Sequence, residues 1–222
     1  MSACSHRAVL FDLDGTLIDS APDLAGAANE LRAAHGLAAL PYEHFRPMVG
    51  SGARGMVGVA FDVGPQHERF AALRDDFLQR YEQRMMLETR IFDAVVPVLD
   101  MLDARRHPWG IVTNKAARFT VPLVRSLGLH ARAATVIAGD TTPHSKPHPA
   151  PLLEAARQMG LEPGECLYVG DDPRDVQAGL AAGMTTVVAA WGYLGIGEPL
   201  EAWGARHIIK TPAELLNLLG MA

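Results

Sequence analysis

Hydrophobic positions along the chain fall into two regimes. Residues 8–11 form a four-residue apolar run that stops at Asp12, with Gly15 beyond it supplying a turn; this predicts a short buried strand. From residue 17 to about 88 the spacing is helical only. Leu24, Ala27, Ala28 and Leu31 repeat behind Ser20, which is placed to cap, and Pro22 in the first turn. A second short helix is expected over 42–48, a third from the glycine-rich turn 50–55 through Phe61, and a longer amphipathic one over 66–85 carrying Phe70, Leu73, Phe77, Leu78 and Tyr81.

After residue 89 strand and helix alternate. Helices are predicted at 95–106, 116–127, 150–159, 173–182 and after Thr211, three of them closed by Gly128, Gly160 and Gly183; strands are predicted at 109–113, 135–138, 166–169, 185–189 and 207–209. This repetition predicts an α/β fold with a doubly wound parallel sheet. Residues 1–16 and 89–222 then make one unit, and 17–88 is an all-helical insertion standing over the strand end at Asp12. That position makes the insertion a lid candidate.

Composition adds limits. The 222 residues are 49% hydrophobic and 20% charged, enough for one substantial core plus an insertion. Formal net charge is −5 with no basic run, which argues against nucleic acid or an anionic membrane as partner. An anionic ligand must therefore be held by local positive groups or a metal. Lysine is scarce, at Lys115, Lys146 and Lys210 alone. Cys4 and Cys166 offer neither a disulfide framework nor metal-ligand spacing, and neither a membrane span nor a signal-peptide core is present, so a cytoplasmic protein is expected. Among nine histidines only His144 and His148 lie close together, a poor basis for a histidine metal site. Monomer and homodimer both remain open.

Four predicted strand ends carry polar groups: Asp12 and Asp14; Thr113-Asn114-Lys115; Ser145-Lys146; and Gly170-Asp171-Asp172 with Asp175 one turn on. Each has a structural alternative. Thr113 could cap the next helix, Lys146 could be an exposed loop lysine, and Asp171 to Asp175 could be first-turn acids complementing a helix dipole. Parallel topology, however, brings all four ends to one edge, where open α/β sheets bind ligands. The turn Gly50-Ser51-Gly52-Ala53-Arg54-Gly55 reads either as helix-start punctuation or as backbone N–H groups facing an anion.

The order and spacing of Asp12-Leu13-Asp14-Gly15-Thr16, Thr113, Lys146 and Gly170-Asp171-Asp172-Pro173-Arg174-Asp175 resemble the haloacid dehalogenase-like hydrolases. That resemblance spans the whole chain and implies a Rossmann-like core with a helical cap inserted after the first motif. It implies Asp12 as a nucleophile that forms an aspartyl-phosphate, and Asp14 as the acid and base for the leaving group and the water. Mg²⁺ would be bound by Asp12, the Asp14 backbone carbonyl and Asp171, with Asp175 behind them or as a further ligand. Thr113 and the backbone at Leu13 and Asn114 would hold the phosphoryl oxygens, and Lys146 would neutralise phosphate and Asp12. Asp172 is expected to be an exposed helix-start acid.

Residue types narrow the branch. Asp14 argues for phosphoryl transfer over dehalogenation, and the absence of any lysine before Lys115 removes a Schiff-base phosphonatase. A receiver-like phosphate acceptor shares the Asp, Thr and Lys but has no cap and no Asp14. Residues 14–24, Val112-Thr113-Asn114-Lys115, the 168–175 stretch and Trp191-Gly192-Tyr193 resemble phosphoglycolate phosphatases. The cap turn 51–57 is instead similar to sugar-phosphate relatives acting on N-acetylmuramate 6-phosphate, and a sugar phosphomutase shares the same core. The expected substrate is a small carboxylated phosphate ester, first 2-phosphoglycolate. Gly52 and Arg54 of the cap turn are the candidate substrate contacts, Arg54 pairing with a carboxylate if it points into the cleft.

Overall fold

The apolar run at residues 8–11 becomes a central strand of a six-stranded sheet. The computed structural model describes residues 6–221, so Cys4 lies outside the described residues. In chain order the elements are β1 (Ala8–Phe11), β2 (Ile18–Asp19), α1 (Ala21–Ala34), α2 (Tyr42–Phe45), α3 (Gly52–Phe61), α4 (Phe70–Arg84), β3 (Arg90–Ile91), α5 (Val96–Ala104), β4 (Trp109–Val112), α6 (Ala117–Ser126), β5 (Thr135–Ile137), α7 (Ala150–Met159), β6 (Cys166–Gly170), α8 (Pro173–Ala181), β7 (Thr185–Ala189), β8 (His207–Ile209) and α9 (Glu214–Leu218). The sheet runs β5-β4-β1-β6-β7-β8, every pair parallel.

Both faces of β1 are covered, which explains why its sequence is a continuous apolar run and not an alternation. Val9 and Phe11 share one cluster with Leu99 and Leu102 of α5 and Leu123 of α6. Ala8 and Leu10 share the other with Leu152 and Ala155 of α7 and Ala178 of α8. Helices on both faces and uniformly parallel strands place Asp12, Thr113 and Asp171 at the same C-terminal edge.

The segment between β1 and α5 packs α1 against both α3 and α4 around buried Leu31, Met56 and Phe77. It is not wholly helical as expected. Ile18–Asp19 and Arg90–Ile91 pair antiparallel where the chain leaves and re-enters the core, Ile18 opposite Ile91. Two-residue strands are too short to show a period of two. Buried Asp23 secures the return, accepting from the backbone N–H groups of Glu88 (3.0 Å) and Thr89 (2.9 Å) and from the Thr89 hydroxyl (2.8 Å).

Three further expectations are corrected. The 42–48 helix is a single α turn followed by a 3₁₀ segment, Arg46–Ser51. The 66–85 helix starts only at Phe70, because residues 66–69 form turns in which His67 Nδ1 accepts from the Arg69 N–H at 3.1 Å. Ser20 occupies the N-cap position of α1 without capping it. Its hydroxyl donates to Asp14 Oδ1 instead, and the Tyr193 hydroxyl accepts from the N–H groups of Ser20 (2.8 Å) and Ala21 (3.0 Å) at the helix start.

Candidate active site

The floor of the site is built from strand ends. The Asp12 N–H donates to the Val169 carbonyl at 2.9 Å, extending the β1–β6 ladder and fixing Asp12 at its edge. Lys146 reaches it from the loop after β5. Its Nζ lies 2.8 Å from Asp12 Oδ1, 2.7 Å from Asp175 Oδ1, 2.7 Å from the Tyr168 hydroxyl and 2.9 Å from the Val112 carbonyl. That loop is secured by Asn114, whose side chain donates to the Lys146 carbonyl and accepts from the Lys146 N–H, both at 2.9 Å. Lys146 is therefore a buried ion-pair partner and not an exposed loop lysine.

Asp12, Asp171 and Asp175 are all buried, and one oxygen from each lies within 4.8 Å of the others. Against three carboxylates stands one ammonium. Burial raises the Asp12 carboxyl to about 7, with Lys146 opposing and Asp175 adding, and burial with the Asp12 charge raises Asp171 well above the usual range. Burial alone would lower Lys146, but Asp12 and Asp175 hold it raised. The cluster is thus short of positive charge, and its donors are all oxygens; it fits a hard divalent cation. Asp171 is fixed by the Thr16 hydroxyl (3.0 Å) and the Tyr193 N–H (2.7 Å). Gly15 turns beneath it at φ +86°, and a Cβ there would stand 2.2 Å from Asp171 Oδ2.

Asp14 stands apart from that cluster. Its Oδ1 accepts from Lys115 Nζ at 2.8 Å and from the Ser20 hydroxyl, and the Lys115 ammonium sits 4.9 Å from the Tyr81 ring centroid. Asp175 belongs to the cluster itself and also closes a capping box with Asp172 at the start of α8. Asp172 begins the helix as expected but is only half-exposed. It grips Arg174 through both carboxylate oxygens, each 2.7 Å away, and Arg174 donates onward to the Gly50 carbonyl. A Cβ on Gly50 would come within 2.9 Å of Asp172 Oδ2, so a larger residue here would have to displace the carboxylate that holds Arg174.

Above the floor lies a cleft of about 360 Å³. The core contributes Asp12, Asp14, Thr113, Asn114, Lys115, Lys146, Asp171 and Asp175; the helical segment contributes Leu24, Gly50, Gly52, Phe77 and Tyr81. One predicted contact is not brought in: Arg54 is exposed and borders a separate hollow with His44, Met48 and Asp62, while the Leu13 side chain is fully buried, so its expected contact is one its backbone alone could make. The cations that face the cleft besides Lys146 are Lys115, Arg118 and Arg174. No spacing signal singled out Arg118 or Tyr168, while Lys115 stood in the Thr113-Asn114-Lys115 stretch without a role.

A parallel sheet whose C-terminal edge carries buried carboxylates braced by a lysine suits a hydrolase. The haloacid dehalogenase-like hydrolase model matches residues 9–189, and the chain belongs to that family. It is 44% identical over 210 residues to a phosphoglycolate phosphatase of Xanthomonas campestris pv. campestris, covering 94% of each chain. It is 38% identical over 216 residues to an N-acetylmuramic acid 6-phosphate phosphatase of Pseudomonas aeruginosa, covering 97% of this chain and 96% of the relative. Among solved structures, one titled a predicted phosphoglycolate phosphatase from Haemophilus somnus superposes with a TM-score of 0.84 at 27% identity, covering 96% of this chain and 98% of the other. No helix among the described residues is long and apolar enough to cross a membrane.

Proposed function

We propose that this protein is a Mg²⁺-dependent phosphomonoester hydrolase working through an aspartyl-phosphate on Asp12, with 2-phosphoglycolate as its substrate. The observation that carries this reading is the Lys146–Asp12 contact, 2.8 Å, beside the Asp171 and Asp175 carboxylates at the base of a covered cleft. The relatives named as phosphoglycolate phosphatases, at 44% identity, favour the substrate. A cytoplasmic location agrees with the composition.

Each residue then has a task. The Asp12 carboxylate attacks phosphorus while Lys146 orients it and offsets phosphate charge. Asp14 gives a proton to the departing alkoxide and takes one from the water that cleaves the acyl-phosphate. The Thr113 hydroxyl, with the backbone at Leu13 and Asn114, holds the phosphoryl oxygens. Asp12, Asp171 and the Asp14 carbonyl, with Asp175 behind, would hold Mg²⁺, whose charge would screen the repulsion between nucleophile and phosphate. Residues 17–88 act as a cap that excludes water and sets specificity over a core of 1–16 and 89–222.

A second reading rests on the Pseudomonas aeruginosa relative: the substrate is N-acetylmuramate 6-phosphate, which also carries a carboxylate. The test is kcat/KM with Mg²⁺ for both esters, using the Asp12→Asn protein as blank. A preference of a hundredfold for phosphoglycolate, about 2.7 kcal/mol of transition-state binding, upholds the first reading. The reverse preference installs the second. Turnover by Asp12→Asn equal to wild type overturns the nucleophile.

A further inference from the structure

Three cations besides Lys146 face the cleft, and they are not equivalent. Arg174 is committed: Asp172 holds its guanidinium at 2.7 Å through both oxygens, and it donates to the Gly50 carbonyl. Arg118, three residues beyond Lys115 on the first turn of α6, is exposed and has no carboxylate partner within salt-bridge distance among the described residues. Lys115 is nearly buried, with 9% of its side chain exposed, and is neutralised by Asp14 alone while resting on the Tyr81 ring. The rest of that wall is apolar, Leu24, Phe77 and Phe119.

Asp14 is the residue whose engagement matters. It follows Asp12 by two positions, yet its Oδ1 is bound by Lys115 and the Ser20 hydroxyl, and it is absent from the carboxylate cluster around Asp12. A second anion entering the cleft would compete with Asp14 for the same ammonium. Lys115 would then change partners without losing a counter-charge, so the exchange costs little electrostatically.

We infer that Lys115, with Arg118 beside it, reads the carboxylate of the substrate, and that this contact releases Asp14 from the Lys115 ion pair to serve the phosphoryl group. The inference rests on the phosphatase reading and assigns to the core a role that the cap residue Arg54, in its separate hollow, does not take. Lys115 is thus a binding residue for the carboxylate and a positioning residue for Asp14. An ester without a carboxylate leaves the pair intact and reacts slowly, so discrimination appears in kcat as well as KM.

The experiment compares matched esters: 2-phosphoglycolate with 2-hydroxyethyl phosphate, and N-acetylmuramate 6-phosphate with N-acetylglucosamine 6-phosphate. In whichever pair the wild type hydrolyses, the kcat/KM ratio for the carboxylated member should fall about 10- to 100-fold in Lys115→Met, the worth of a charge-assisted hydrogen bond. Lys115→Arg should recover part of the ratio, and Arg118→Gln should lower it less. Equal loss on both members, or collapse of the ratio in Arg54→Ala instead, overturns the assignment. Because the chain has three lysines, lysine-selective ¹³Cε labelling of the Asp12→Asn protein supplies a readout without turnover. The Lys115 signal should move with the carboxylated member of the pair that the wild type hydrolyses and not with its uncarboxylated counterpart; movement with both or neither refutes it. If the wild type hydrolyses none of the four esters, the phosphatase reading itself falls.

Discussion

Lys146 Nζ stands 2.8 Å from Asp12 Oδ1, although 134 residues separate the two in sequence. Among the described residues it is the one ammonium facing a buried group of three carboxylates. Removing one partner of such a pair leaves uncompensated buried charge. Lys146→Met should therefore lose both turnover and about 3–5 kcal/mol of stability, read from phosphatase assay and urea unfolding. A variant that kept wild-type stability would show that Lys146 does not offset the cluster.

The same charge shortage predicts a response to metal. Mg²⁺ should raise the melting temperature, with about 2.7 kcal/mol of stabilisation at a hundred times its dissociation constant. Asp171→Asn should abolish that response, and excess EDTA should silence the wild-type enzyme. A thermal-shift series in which both proteins respond alike would remove Asp171 from the ligand set.

Hydrogen exchange should report on the cap turn. Gly50 to Ala53 line the cleft, and Arg174 binds the Gly50 carbonyl, so 2-phosphoglycolate bound to Asp12→Asn should protect residues 50–57. Arg174→Gln should speed exchange there before ligand is added. Unchanged exchange in both experiments would mean that this turn neither closes on substrate nor leans on the core.

Acid should weaken the fold from the opposite edge of the sheet. His6, His107 and His207 lie before or at the starts of β1, β4 and β8, and burial lowers all three, with the His6 charge adding at His107 and the Arg206 and His6 charges at His207. The unfolded chain takes up these protons near pH 6.5 and the native state resists, so the unfolded state binds more protons below that pH. The histidine contribution to melting temperature should hold above about 6.5 and fall as pH drops below it, against the opposite contribution of the raised Asp12 and Asp171 carboxyls, so the fall is read as the difference between wild type and a histidine variant. His107, whose Nε2 is buried without a partner among the described residues, is the position where substitution by Gln should flatten that fall most.

Much of the core was legible because its signals are local. Apolar runs ending in Asp12, Thr113 and Asp171, glycines after 127, 159 and 182, and Pro173 at a helix start all act within a few residues. The helical segment was less so. The β2–β3 pair carries no periodic pattern, and the misplaced start of α4 reflects a histidine side chain competing with the backbone. Arg54 shows what spacing cannot supply: successive helical residues point about 100° apart, and the rotation of α3 that puts Gly52 and Ala53 on the cleft turns Arg54 to another hollow. Partners far apart in sequence, such as Lys115 with Asp14 or Tyr193 with Ser20, were equally invisible, since nothing local marks them.

The placement of β1 inside the sheet also sets the order in which the molecule can be made. Val9 pairs with Trp109, a hundred residues on, and Ala8 pairs with Cys166, further still. The ends of these long loops must meet before the contacts repay the entropy of closing them, which makes folding slow for the chain's size. Asp12 leaves the ribosome well before β4 and β6 but gains its final neighbours only when β6 has been synthesised. Until then β1 has an unpaired edge with apolar faces, and a chain stopped before residue 166 is a candidate for aggregation.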